Sequence, residues 1–479
     1  MGLPISTLAV AGSAEHLSNL KDIPAMPHDL PPRSFVQETR STAVLVLPLV
    51  MGHVSTGLIA FVDNIIAGQH GTDTLAAVTV GTALLWLPML VPIGTLIALT
   101  AGVARLHGSG QHEQVGPVFR QALWLALGLG LVMFVFLSVA PTLLGVAGIA
   151  EEIIPGAQAF LHAVRWGSPA LTMFFCMRYL CEGMHWMRPT MLFGFGGLLV
   201  LAPLGYVLTN GKLGFPELGA QGLGIASAIM MWLQALVFAL YLWRTPRMAH
   251  LQLFACLELP NRAAIGDLLR VGLPIGISIL MQGSLFIVTS LLIGRLGSAF
   301  LAAHQIAVNV AQLCFMIPVA VAEATTVRVG HALGRGDRHG VRRAAWAGYV
   351  LVVFTQMLST LALLLGHEAI AGLYSRDLVV TALASTLLLY AAALQFPDGL
   401  QMLSAGALRG LQDTRVPMML AIFSYWVIGL PLGVSLGFGL GWGPQGVWLG
   451  LITALTVATV LMGWRFIHSS KASPDHGIP

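Results

Sequence analysis

Charge is scarce in this chain of 479 residues: Asp, Glu, Lys and Arg make up 9% of it, where a soluble globular domain carries about 25%. Hydrophobic residues make up 56%, more than a soluble fold has interior to bury, which excludes a water-soluble globular protein. Lysine occurs only at Lys21, Lys212 and Lys471, and no GxxxxGK[ST] loop is present. The chain therefore has no cradle for ATP phosphates and is not driven by ATP directly. Cysteine is nearly missing too. Cys176, Cys181, Cys256 and Cys314 lie in or beside apolar segments, with no CxxC and no Cys–His ligand spacing, so they read as small core residues without a redox or metal role. His112-Glu113 and His367-Glu368 begin like a zinc-protease motif but lack its second His, and no GxSxG elbow occurs. An intramembrane hydrolase is therefore not expected, nor is any other enzymatic activity or a cofactor.

What is present is a series of apolar runs, each long enough at about 1.5 Å per residue to cross a hydrocarbon core of about 30 Å. They fall near residues 41–67, 74–103, 117–143, 155–182, 189–209, 222–243, 269–294, 300–326, 344–366, 379–408, 414–437 and 446–467. The fold class expected is an all-α polytopic membrane protein of twelve transmembrane helices. With the N-terminus cytoplasmic, every Lys and Arg except Arg165, Lys212, Arg295 and Arg376 falls on the cytoplasmic side, as the positive-inside rule requires. The net charge of +4 thus serves topology, and the partner it implies is the lipid bilayer, not a nucleic acid. Residues 1–40 begin polar and Pro-containing and read as a disordered cytoplasmic tail, and residues 469–479 as a second tail.

The chain repeats itself. Laid on itself so that Leu47-Pro48 falls on Leu273-Pro274, it also brings Gly68 onto Gly294, Gly71 onto Gly297, Pro92 onto Pro318, Thr100 onto Thr326 and Gly108 onto Gly334. One residue further on in offset, Gly183 matches Gly410, and later Gly219-x-Gln221-Gly222 matches Gly443-x-Gln445-Gly446. An even number of helices returns the chain to its starting side, so the copies are parallel repeats. The expected architecture is two six-helix bundles, residues 41–243 and 265–468, joined by a cytoplasmic linker at 244–264 and facing each other across a central cavity.

Ionisable residues inside a bilayer cost a few kcal/mol each on insertion scales and call for a reason. Asp398 lies mid-span behind Pro397, whose missing N–H frees a carbonyl nearby. That pairing suits sodium coordination or proton carriage. Asp63 sits toward the outer end of the first span, where ion coupling, substrate contact and a solvated role are all open. Glu323 has Arg328 five residues on, and a structural ion pair between them is expected. Arg178 and Glu182 stand at salt-bridge spacing. His304, Gln305 and Asn309 form a polar stripe that either lines the cavity or ties helices together. Trp86, Phe286, Tyr390, Phe396 and Trp426 are candidate aromatic walls for a cationic substrate, since a desolvated cation gains about 2 kcal/mol over a ring face.

Three stretches carry a resemblance. These are Phe61-Val62-Asp63-Asn64-Ile65-Ile66-Ala67-Gly68, the run from Ala302-Ala303-His304-Gln305-Ile306 through Val327-Arg328-Val329-Gly330-His331, and Ala405-Gly406-Ala407-Leu408-Arg409-Gly410 with Ser424-Tyr425-Trp426-Val427-Ile428-Gly429-Leu430-Pro431. The chain resembles the multidrug and toxic compound extrusion (MATE) transporters, nearest their NorM-like branch, over nearly its whole length after residue 40. The resemblance implies a monomeric antiporter of the bacterial inner membrane, with both termini cytoplasmic, exporting cationic or aromatic compounds in exchange for protons or sodium. The family's first- and tenth-helix aspartates match Asp63 and Asp398. Its seventh-helix glutamate falls on Gln282, and the tyrosine one turn before the tenth-helix aspartate falls on Leu394. Gln282 offers a carbonyl oxygen but no charge, which tilts the expectation from a sodium site at Asp398 toward proton coupling. The competing reading, a flippase for a lipid-linked precursor, calls for a cavity rich in Arg and Lys, whereas the mid-span residues here are acidic.

Overall fold

The computed structural model describes residues 35–145, 150–255 and 258–471; the N-terminal tail before Phe35, Cys256 and most of the C-terminal tail lie outside them. Among the described residues twelve long helices run back and forth. They are α1 (Phe35–His70), α2 (Thr72–Gly108), α3 (Val115–Val139), α4 (Ile154–Val164 continuing as Ser168–Gly183), α5 (Arg188–Asn210), α6 (Ala220–Arg244), α7 (Arg262–Gly294), α8 (Ser298–Gly334), α9 (Arg338–Tyr374), α10 (Leu378–Gly410), α11 (Arg415–Gly439) and α12 (Pro444–Ser469). Residues 35–40, expected in the tail, already belong to α1. Side-chain caps mark several starts: Asn261 accepts from the amide of Ala263, Asp337 from that of Gly340, and Asp377 from that of Val379, each satisfying an otherwise orphaned N–H.

Two helices depart from the uniform spans read in the sequence. In α4 a 3₁₀ turn at Arg165–Gly167 separates the two pieces. Pro169 has no N–H to give the carbonyl of Arg165, and the Ser168 hydroxyl takes that carbonyl instead at 2.7 Å. In α11 two π-helical stretches, Phe423–Gly429 and Ser435–Gly439, flank the segment that carries Pro431, the kind of local widening that lets a helix pass a missing hydrogen bond.

Most buried apolar residues fall into two large cores, with smaller clusters beside them. One gathers α1 to α6 around Phe119, Phe160 and Phe238 and reaches Ile275 of α7, and the other gathers α7 to α12 around Tyr425 and Trp448. A smaller cluster joins Leu49, Ala104 and Met187 to Ala320, Ala324 and Val327 across the lobes. Facing outward are stripes such as Leu131, Val132, Val135 and Val139 on α3 and Val350, Phe354, Leu358, Leu361 and Leu365 on α9, at the helical spacing of a face turned to lipid.

The duplication is visible atom by atom. A Cβ placed on Gly183 would stand 2.7 Å from Val103 Cβ and 2.9 Å from the Thr100 carbonyl; one on Gly410 would stand 2.7 Å from Val329 Cβ and 2.8 Å from the Thr326 carbonyl. Thr100 and Thr326 bond in turn to the carbonyls of Tyr179 and Gly406, again equivalent positions. Gly219 (φ 54°, ψ −129°) and Gly443 (φ 59°, ψ −139°) open α6 and α12 in one shared backbone conformation that disfavours a side chain. Between lobes, Gly108 packs on the carbonyl of His331 while Gly334 packs on the carbonyl of Arg105, a reciprocal contact that places a pseudo-twofold axis between α2 and α8. The lobes meet through α2 against α7 and α8, and α1 against α8. The tight glycine contacts between them at Gly272 on Thr95, Gly276 on Val91 and Gly334 on Arg105 lie in the halves of these helices nearer the chain termini.

The linker is pinned along the start of α3. Trp124 Nε1 donates to the Glu258 carbonyl at 2.8 Å, Gln121 reaches the carbonyl of Leu259, and Arg120 pairs with Glu258.

Candidate functional site

A cavity of about 360 Å³ lies between the lobes, within the range that holds a drug-sized ligand. Helix α1 lines it from His53 through Thr56 and Ala60 to Asp63, α2 adds Thr82 and Trp86, and α8 supplies Gln312, Phe315, Met316 and Val319. The stretch from His53 to Asp63 is about 15 Å of helix.

Asp63 stands where this cavity meets a narrower pocket inside the first lobe, walled by Trp86, Phe174, Phe175, Met230 and Gln234. It is buried, and its Oδ1 has no hydrogen-bond partner among the described residues. Its place toward the outer end of the first span does not expose it, because α1 continues unbroken to His70. Leaving a buried charge without its partner typically costs about 3–5 kcal/mol. A proton or a cation arriving in the cavity removes that cost.

Asp398 is buried in α10 of the other lobe, and Gln282 Nε2 of α7 donates to its Oδ1 at 3.2 Å. The helix around Pro397 is held by side chains that take up its carbonyls. Thr360 donates to Ala392, Gln356 to Gln395 and Thr459 to Pro397 itself, at 3.1, 2.9 and 2.7 Å. Tyr425 of α11 is close enough to Asp398 to feel its charge, and its hydroxyl is buried with no partner among the described residues. Gln282 and Tyr425 line a small pocket with Gln401, Arg409 and Asp413.

The polar stripe of α8 splits. His304 is fully buried, with Trp448 Nε1 donating to its Nδ1 at 3.2 Å and Ser290 at its Nε2 at 3.0 Å. It ties α8 to α12 and α7 and lines none of the three pockets. Gln305 and Asn309 are exposed, and one turn further along the same face Gln312 enters the cavity. Gln305, Asn309 and Gln312 stand at i, i+4 and i+7, the spacing of one helix face, so the polar stripe runs further than the residues His304, Gln305 and Asn309.

Among the aromatic candidates, Trp86 flanks Asp63 in both cavity and pocket. Phe286, Tyr390 and Trp426 pack against the second core, and Phe396 is half-buried outside the three pockets. Phe174, Phe175 and Phe315 were missed. Each lies in an apolar run where packing and cavity-lining aromatics look alike.

Glu323 corrects the sequence reading. Its carboxylate meets His53 Nε2 at 3.0 Å and Arg178 Nη2 at 3.9 Å, both from the first lobe, while Arg328 turns to Glu38 on α1. Residues five apart on a helix point to different faces, so Arg328 and Glu323 reach different neighbours. Arg178 and Glu182 form the expected pair at 2.7 Å.

A family model described as MatE matches residues 48–207 and again 274–435, one match in each lobe. The chain is 71% identical over 437 residues to a "Probable multidrug resistance protein NorM" of Xanthomonas axonopodis pv. citri, covering 91% of this chain and 95% of that protein. It is 40% identical over 440 residues to "Multidrug resistance protein PmpM" of Pseudomonas aeruginosa, covering 91% and 92%. Among solved structures it superposes on that of the eukaryotic MATE transporter AtDTX14 with a TM-score of 0.83 at 17% identity, covering 91% of this chain and 98% of that one. A multidrug resistance MATE transporter in an outward-facing conformation gives 0.81 at 19%, covering 91% and 97%.

Proposed function

The chain belongs to the MatE family of multidrug efflux transporters, and from that premise we propose that it is a secondary antiporter that exports cationic, amphiphilic compounds in exchange for protons. The observation that carries this reading is Asp63: a buried carboxylate, without a partner at Oδ1 among the described residues, facing a cavity that also presents Trp86 and Phe315. An aromatic cation arriving there gains a counter-charge and ring faces together.

Proton coupling is assigned to Asp398. Gln282 presents an N–H to it, where a sodium site would ask for an oxygen ligand. Three side-chain donors already occupy the carbonyls around Pro397, which leaves fewer oxygens for a metal ion. Asp63 and Asp398 sit in opposite lobes, so substrate and ion occupy different halves of the molecule. The distribution of Lys and Arg supports an orientation with both termini cytoplasmic in a bacterial inner membrane, and one copy of the chain holds the whole site.

The test is exchange in proteoliposomes with proton and sodium gradients imposed separately. Efflux of a fluorescent cation follows the proton gradient in the wild type and stops in Asp398→Asn, while folded protein remains in the membrane. Efflux that follows sodium alone, or an unimpaired Asp398→Asn, overturns the assignment. Absence of any cation export by well-expressed protein would favour the lipid-precursor flippase.

A further inference from the structure

The cavity has a floor. On α1 its last lining residue toward the chain termini is His53, and on α8 it is Val319. One turn beyond Val319 stands Glu323, within 3.0 Å of His53. His53 is thus shared: it lines the cavity while Nε2 rests on a carboxylate from the opposite lobe. Behind this contact Arg178 reaches Glu323 at 3.9 Å while holding Glu182 at 2.7 Å, and Thr190 adds a hydrogen bond to Glu182. Arg409 of α10, in the same lobe as Glu323, lies within electrostatic reach of it, with its Nη2 buried and unbonded among the described residues.

This cluster crosses the lobe boundary. His53, Arg178 and Glu182 belong to the first lobe, and Glu323 and Arg409 to the second. Neighbouring polar contacts between lobes lie on the same side of the cavity: Arg328 with Glu38, and Arg105 with Gln412 at 2.8 Å. A rocking motion that opens this side must separate α8 from α1 and α4, and with them Glu323 from both of its first-lobe partners. Gly57 on Met316 and Gly330 on Ala104 are apolar contacts that part without stranding a charge. The Glu323 contact is different, because a carboxylate taken from its partners inside a bilayer must find water, a proton or Arg409.

We propose that the His53–Glu323 contact, backed by Arg178, is the latch that keeps the lobes shut beneath the cavity, and that Glu323 is a positioning residue whose release is a required step of transport. Because His53 also lines the cavity, the latch stands where an arriving substrate touches it. The proposal takes alternating exposure of the cavity from the antiport reading above. Its test reads distance instead of flux, so the two fail separately.

Lys212 and Arg376 are exposed in the turns after α5 and α9, one on each lobe, at the end of the molecule opposite the latch. Spin labels on Lys212→Cys and Arg376→Cys, in a full-length chain whose native cysteines are replaced by alanine, report the separation of the lobes there. Glu323→Gln is expected to raise the ratio of short to long separations about tenfold, as the latched side opens and the far side closes. His53→Asn is expected to shift it the same way. An unchanged distribution in folded Glu323→Gln overturns the proposal. A shift in Glu323→Gln without one in His53→Asn places the hold on Arg178 and overturns the latch as stated. Should Glu323→Gln fail to fold, His53→Asn, which leaves the Arg178–Glu182 pair intact, carries the same expectation, and an unchanged distribution in it overturns the proposal.

Discussion

The amide of Gln282 on α7 donates to the carboxylate of Asp398 on α10 across 3.2 Å, joining two helices that the chain separates by more than a hundred residues. The contact fixes what Asp398 meets. An amide offers a hydrogen bond but no charge and no titratable proton. Replacing Gln282 by Glu puts two carboxyl groups at hydrogen-bond distance, which they tolerate by sharing a proton or by binding a cation between them. Gln282→Glu is therefore expected to make cation export respond to an imposed sodium gradient. Proteoliposome exchange with and without sodium checks it, and a variant indifferent to sodium would count against the assigned role of this pair.

Asp63→Asn removes the negative charge from the cavity and leaves its shape. Affinity for a fluorescent cation is expected to fall by tenfold or more, a loss of at least about 1.4 kcal/mol, while an uncharged ligand of similar size keeps its affinity. Fluorescence polarisation in detergent separates the two cases. The folded protein should be no less stable, because Oδ1 has no hydrogen bond to lose among the described residues.

Gly183 and Gly410 face equivalent Thr–Val surfaces at nearly equal distances. Gly183→Ala and Gly410→Ala are each expected to destabilise by about 1–3 kcal/mol through overpacking, and by similar amounts. Gly128→Ala on α3, where nothing lies within 4 Å of the added Cβ, should be neutral or stabilising by up to about 1 kcal/mol from helix propensity. Thermal unfolding of the three variants measures all of this. A large cost at only one of the first two positions would show that the repeats differ there.

His185 lies in the turn between α4 and α5, with backbone φ of 56° and a buried Nδ1 that has no hydrogen-bond partner among the described residues. Burial first, then the neighbouring His331, Arg328, His107 and Arg335, holds its imidazole well below the usual value of 6.5. Below pH 6.5 the unfolded chain takes a proton at this position that the folded chain refuses, so stability contributed here is present above pH 6.5 and declines as the pH falls. His185→Asn keeps a side chain that tolerates positive φ and removes the titration. Melting temperatures between pH 7.5 and 5.5 should fall less steeply in the variant than in the wild type.

Much of the fold was legible because its cause is local. Apolar length and the near absence of charge dictate membrane helices wherever they occur, and Gly and Pro held in register reveal the duplication before any contact is known. Asp63 and Asp398 were legible for the same reason, as a charge inside an apolar run stands out without reference to a neighbour. Partners were not. Glu323 was assigned to Arg328 by nearness in sequence, yet its nearest partner, His53, lies in the other lobe. His304 and Gln312 share one helix, and only the placement of α12 decides that Trp448 covers the first while the second faces the cavity.

The sequence by itself determined the class of protein, the helices, the repeat and the rare acids, since each follows from composition or period along one chain. Tertiary structure decided which acid meets which base, which polar residue faces the cavity, and where the helices of α4 and α11 relax around their prolines. Those choices depend on the rotation of each helix about its axis and on how two rigid lobes meet, and a side chain's neighbours are set by that geometry and not by its place in the chain.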